Sequence, residues 1–111
     1  MDRVGLDQAL ALPQRMVLIQ RSCGYSWRPS LSVKEIGELC ALIHARQPDC
    51  ICFVDNCYGE LVQDCEPQEV GADLVAGSLI KNLGGTIAPT GGYVAGPTDL
   101  VAQAFCAPTA P

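Results

Sequence analysis

Two short apolar runs limit what this chain can fold into. Met16-Val17-Leu18-Ile19 stops at Gln20-Arg21-Ser22, and Cys50-Ile51-Cys52-Phe53-Val54 stops at Asp55-Asn56. Each is too short for a helix of ordinary length and shows no polar alternation, which is the pattern of a strand buried on both faces of a parallel sheet. Between them, Ser32-Val33-Lys34-Glu35 is a capping box, and Ile36, Leu39, Cys40 and Ile43 recur on one helical face before Pro48. Strand 16–20, helix 32–46 and strand 50–55 therefore form a βαβ unit. The fold class is α/β, a mostly parallel sheet with flanking helices.

The remaining segments fit around that unit. Leu6, Ala9 and Leu10 give a short helix between Gly5 and Leu12, stopped by Pro13. The loop from Cys23 to Ser30 runs along the rim at the carboxyl end of the first strand. Asn56 to Gly71 is a long connection with Gly59 and Pro67 as breakers. Its first residues adjoin the rim, and its acidic residues, Glu60, Asp64, Glu66 and Glu69, read as a solvated face. Ala72 to Ala76 is a further strand leading to Ser78 and Lys81. Gly84-Gly85 and Gly91-Gly92 allow tight turns, Tyr93-Val94-Ala95 reads as an antiparallel strand, and Pro97-Thr98-Asp99 starts a last helix. After Cys106 the sequence trails off as Ala-Pro-Thr-Ala-Pro.

Composition narrows the function classes. The chain has 111 residues, 49% of them hydrophobic and 17% charged, as in a globular domain with a modest core. A formal net charge of −5 with no basic run argues against nucleic acid as a partner. No apolar stretch reaches membrane-span length, and no signal-type core follows Met1-Asp2-Arg3, so the expected location is the cytoplasm. Seven cysteines, an odd number without a secretion signal, suit small buried hydrophobes better than a disulfide framework. Zinc held by Cys50, Cys52, Cys57 and Cys65 is the sharper alternative, but no CxxC pair occurs and His44 sits in a helical pattern. The expectation is no metal.

A carboxylate at the carboxyl end of a buried parallel strand stands where open α/β sheets place their ligands, and Asp55 is in that position. Ser78-Leu79-Ile80-Lys81 follows at the end of the next apolar segment. A lysine at the edge of a sheet with an aspartate from a neighbouring strand is the pair that pyridoxal phosphate chemistry needs.

The wording of these segments resembles that of a known family. Val54-Asp55-Asn56, Gly71-Ala72-Asp73 and Ser78-x-x-Lys81 resemble the large domain of the fold-type-I pyridoxal phosphate enzymes of the cystathionine and methionine lyase group. Gln20-Arg21-Ser22, the run from Gly24 to Ser30, Phe53 to Glu60, Gly77 to Asn82 and Ala88 to Tyr93 resemble one branch more closely. That branch is the methionine gamma-lyase-like family often labelled aluminium resistance protein. The similarity covers nearly the whole chain, but as a central piece of such a protein. It implies a single partial domain, 1–111, without the small C-terminal domain.

The resemblance also implies roles. Lys81 would be the Schiff-base lysine, and Asp55 would hold the pyridine nitrogen protonated. Ser78 would donate to the cofactor phosphate, with Asn56 and Cys57 lining the cofactor site. Apart from the resemblance, Arg21 and Arg28 are candidates for the substrate carboxylate or the cofactor phosphate, because a guanidinium binds either bidentately, with Tyr58 also on the substrate side and Tyr93 able to reach the site. The function implied is a segment of a pyridoxal-phosphate-dependent carbon–sulfur lyase acting on a sulfur amino acid, a homo-oligomer when full length. In relatives the phosphate-binding turn and the ring-stacking aromatic lie upstream, so the isolated piece is expected to be inactive.

Against these roles stand ordinary ones. Lys81 can be a surface lysine, Asp55 a turn cap, Ser78 a local backbone partner and either arginine a solvated edge residue. For the whole chain, the alternatives are a non-catalytic α/β fragment or a cysteine-rich metal-binding module. Three departures from the lyase pattern stand out. The Cys23–Ser30 loop lacks an Asn-Pro pair, Cys57 replaces a threonine, and Leu83 and Thr86 replace the proline and a glycine of IKNPGGG.

Overall fold

The computed structural model describes residues 3–106; Met1-Asp2 and the Ala-Pro-Thr-Ala-Pro tail lie outside them. In chain order they form α1 (Arg3–Ala9), β1 (Met16–Gln20), α2 (Val33–Arg46), β2 (Ile51–Asp55), β3 (Leu74–Ser78), β4 (Gly92–Ala95) and α3 (Thr98–Cys106). A short 3-10 turn, Pro67–Val70, precedes β3, and a π-turn, Leu79–Leu83, follows it. The sheet has the order β1-β2-β3-β4. Its first three strands are parallel, and β4 returns antiparallel against β3. The α/β reading and the βαβ unit are both present.

The helix of that unit starts as its sequence dictates. The Ser32 hydroxyl accepts from the Glu35 N–H at 3.2 Å, and the Glu35 carboxylate accepts from the Ser32 N–H at 2.8 Å. These two bonds satisfy orphan donors of the first turn. Hydrogen bonds from the Ser32 backbone and hydroxyl hold the Glu35 carboxyl below its ordinary value. Ile36, Leu39, Cys40 and Ile43 of α2 then pack on Ile19, Cys52, Val54 and Val75 as one buried cluster, joined by Leu10. At the other end, Asp73 accepts from the Cys52 N–H at 2.7 Å and its own N–H reaches the Cys52 carbonyl at 3.0 Å, fixing where β3 begins.

The strands differ from expectation in one respect. β1 and β2 are covered on one face, with buried and partly exposed residues alternating along β2 and Ile19 the only buried residue of β1, whereas β3 buries both Leu74 and Val75 at its start. Strand alternation and the ladder register put Met16, Leu18, Ile51, Phe53 and Leu74 on the opposite face. There Met16 is 45% exposed and Leu18 62% exposed. The physical reason is that α2 and the 3-10 turn both lie on the same side, so the crossover from β2 to β3 adds no second layer. An apolar, uncovered face drives association.

The 111-residue chain is therefore expected to self-associate, and Leu18→Lys to shift it toward monomer. Sedimentation velocity over a concentration series measures this. A monodisperse monomer in the parent chain would refute it.

Candidate active site

The carboxyl ends of β1, β2 and β3 converge on one rim. Register places Asp55 beside Ala76 on the open face, with Ser78 two residues further along the same face of β3. Immediately after β2 the chain turns sharply. The Cys57 N–H donates to Asp55 Oδ1 at 3.1 Å, an Asx-turn, and the Gly59 N–H donates to the Asn56 carbonyl at 2.7 Å. The turn holds Tyr58 at a φ of 67°. That left-handed conformation costs a side-chain-bearing residue about 1–2 kcal/mol, so its neighbours must hold it there.

Lys81 meets this turn from the other side. Its Nζ lies 4.6 Å from the centroid of the Tyr58 ring, within cation–π range. It also hydrogen-bonds the Cys57 side chain. That bond, reinforced by Cys57, Tyr58 and Asp55 electrostatics, holds the Lys81 amine above its ordinary value despite slight desolvation. Lys81 departs from helical geometry inside the π-turn, with φ −105° and ψ −127°. The glycines behind it are required for contact reasons. A Cβ on Gly85 would stand 2.7 Å from the Lys81 carbonyl oxygen, and one on Gly84 2.5 Å from that of Leu79. Thr86 sits at a φ of 71°, so it keeps a conformation natural to the glycine it replaces in IKNPGGG and bears the cost of a branched side chain there.

The predicted residues divide into two groups. Asp55, Cys57, Tyr58 and Lys81 come together, and Ser78 stands on the same strand end as the N-cap of the π-turn without a side-chain cap bond. Its hydroxyl has no partner among the described residues. Asn56 and Arg21 point elsewhere. Asn56 is buried, accepts from Arg21 Nη1 at 2.7 Å and donates to Glu66 at 2.9 Å and to the Tyr93 hydroxyl at 3.3 Å.

Arg21 is not a solvated edge residue: it is 4% exposed. Its donors reach the Leu31 carbonyl, Asn56 Oδ1, the Gly59 carbonyl and Gln63 Oε1, with Glu66 3.8 Å away. A buried guanidinium spends its fork this way because unpaired donors in the interior are costly. Arg28 is exposed and caps the Gln20, Ser22 and Pro29 carbonyls at the end of β1. A cleft of about 380 Å³ beside the turn is lined by Arg21, Ser32, Cys57, Tyr58 and Gln63, but not by Lys81 or Asp55.

Sequence reasoning missed the acidic side of this network. Glu60, read as part of a solvated face, is buried; its carboxylate accepts from the Tyr93 hydroxyl at 3.1 Å and its carbonyl from the Asn82 side chain at 3.0 Å. Asn82 follows Lys81, so Glu60 ties the lysine turn to the interior. Burial pushes the Tyr93 hydroxyl up to about 12. The available signal was Gly77, where a Cβ would lie 2.3 Å from Glu60 Oε1. Cys50, Cys52, Cys57 and Cys65 do not gather into a metal-capable group among the described residues. None of the seven cysteines is disulfide-bonded. Among the described residues no helix is long and apolar enough to cross a membrane.

A family profile described as methionine gamma-lyase matches residues 1–111. The chain belongs to the methionine gamma-lyase family. A crystal structure from Listeria innocua, a candidate cystathionine beta-lyase involved in aluminium resistance, is 48% identical with a TM-score of 0.87, over 91% of this chain and 25% of that one. A candidate of the same description from Clostridium acetobutylicum is 49% identical with a TM-score of 0.87, over 94% and 25%.

Among curated proteins, Bacillus subtilis YnbB is 54% identical over 74% of this chain and 20% of its own. An uncharacterized protein of Lactobacillus delbrueckii subsp. bulgaricus is 50% identical over 86% and 31%. The chain thus spans less than a third of the curated relatives it matches. As a methionine gamma-lyase family member it shares the α/β fold of the Listeria innocua and Clostridium acetobutylicum structures over the matched part.

Lys81 is expected to titrate above the ordinary lysine value of 10.5, and Cys57→Ala to bring it back toward that value. The measurement is the pH dependence of its NMR signal after reductive methylation. Because the folded value is raised, this interaction favours the fold below the unfolded-state value and is lost as pH rises through the folded one. An unchanged titration in Cys57→Ala would remove the thiol from the contact.

Proposed function

We propose that this chain is the cofactor-bearing segment of a pyridoxal-phosphate-dependent carbon–sulfur lyase acting on a sulfur amino acid, with Lys81 as the attachment point. The observation that carries the reading is the meeting of Lys81 with the turn directly after Asp55, at the carboxyl ends of parallel strands. That is where open α/β sheets bind ligands. The activity is assigned to a full-length protein containing this segment, with residues 1–111 as one partial domain of a cytoplasmic homo-oligomer.

The residues present fit the cofactor. Lys81 is held by a thiol and an aromatic face, with no salt-bridging carboxylate among the described residues to compete for its amine. Asp55 gives one oxygen to the Cys57 N–H and keeps the other uncommitted among the described residues. Ser78, at the start of a helical turn, has a hydroxyl without a partner among the described residues. Lys81 would hold the aldehyde carbon, Asp55 the ring nitrogen and Ser78 the phosphate.

When bound, pyridoxal phosphate supplies an electron sink for a carbanion next to the amino group. Asp55 would keep a proton on the ring nitrogen, since a nearby negative charge raises that nitrogen's pKa. Lys81 Nζ would take and return the proton at the substrate α-carbon. For that it must first lose the proton that its surroundings favour, which displacement of the Cys57 hydrogen bond would assist. Arg28 is the better candidate for the substrate carboxylate, because it is exposed and holds only backbone carbonyls, whereas the Arg21 fork is committed inside. Asn56 acts as support for the turn rather than as a cofactor contact.

Lys81→Ala in the full-length protein should abolish the visible absorbance of bound cofactor and lower keto-acid release from methionine or cystathionine by about 10³-fold or more. Asp55→Asn should retain cofactor but lose turnover, because an amide cannot keep the ring nitrogen cationic. Retained colour in Lys81→Ala, or full turnover in Asp55→Asn, would overturn the assignment.

A further inference from the structure

Away from the rim, at the amino ends of β2 and β3, three different ligand types meet. His44 comes from the last turn of α2, Cys52 from β2, and Asp73 from the residue before β3. Their donor atoms all lie within 4.8 Å of one another, the one such group among the described residues. His44 Nε2 and Asp73 Oδ2 are hydrogen-bonded at 2.9 Å, a contact that an ion entering between them would replace.

We propose that His44, Cys52 and Asp73 form a binding site for a single soft divalent cation, with Zn²⁺ the best match. Imidazole and thiolate suit zinc better than the hard cations, which prefer all-oxygen sets. The layout also gives an entry path. Cys52 is fully buried, while the His44 and Asp73 side chains are 31% and 34% exposed and form the mouth. Cys40, one turn before His44 on α2, is buried with Cys52 in the same core cluster. Coordination converts each ligating thiol to thiolate, and the proton leaves to solvent.

The assignment differs from the zinc reading of the sequence. Only Cys52 of those four cysteines takes part, and the partners come from three elements that no local spacing connects. A site here would clamp α2 to the two strands at the end of the sheet opposite Lys81.

The test is titration of the reduced full-length protein with CoCl₂, followed by ZnCl₂ displacement. The expected result is saturation at one ion per chain, with tetrahedral ligand-field bands, a sulfur-to-cobalt charge-transfer band and proton release. Cys52→Ala should remove most of the charge transfer, and His44→Gln should weaken binding by at least about tenfold. His44 is half-exposed, so His44→Gln carries the test if Cys52→Ala fails to fold, with circular dichroism as the check. Absence of saturable binding, or affinity unchanged in His44→Gln, would overturn the proposal.

Discussion

The buried guanidinium of Arg21 holds the functional end of this sheet together. It stands just past β1 and extends the ladder through its own N–H to the Asp55 carbonyl at 3.0 Å. Its side chain then joins the entry to α2, through Leu31 and Gln63, to the turn after β2, through Asn56 and Gly59. Gln63 passes the link on by accepting from the Val33 N–H at 2.8 Å. A Cβ on Gly59 would lie 2.5 Å from the Arg21 side chain, so any larger residue there would displace the guanidinium. Losing such a buried charged donor strands several acceptors at once, at a cost of about 1–3 kcal/mol each.

The site is a consequence of that arrangement. With Gly59 and Asn56 fixed, Cys57 and Tyr58 project toward Lys81, and the Asx-turn sets Asp55 beside them. Glu60 completes the frame from inside, holding Tyr93 with its carboxylate and Asn82 with its carbonyl. The lysine turn and the aspartate turn are thus coupled through backbone and buried side chains. Catalytic geometry of this kind depends on support that does not itself touch the reactants.

The sequence showed the fold well, because each element carries its own local signal. The capping box at Ser32 and Glu35, the apolar runs and Pro48 marked α2, β1 and β2 within a residue or two. Double-sided burial was inferred from run composition alone, and composition does not show that the crossover to β3 lies on the same side as α2. At the rim, Asp55, Cys57, Tyr58 and Lys81 were legible through resemblance and do come together. Arg21 is a candidate in the sequence because a guanidinium suits a carboxylate or phosphate, and Asn56 through the resemblance alone. Their partners, Gly59, Gln63 and Glu66, lie in an irregular loop with no periodicity to reveal which way side chains turn. The His44–Asp73 contact was equally hidden, since 29 residues separate its members.

The most direct test of this account is amide hydrogen exchange in Arg21→Met, compared with the parent protein. If the guanidinium positions the turn that meets Lys81, the Gly59 and Val33 amides, and the Leu61 amide that donates to Glu66 at 2.8 Å, should exchange roughly tenfold faster or more, while Val54 in the core stays protected. Unchanged protection of those three amides in Arg21→Met would contradict the claim that Arg21 holds the site in place.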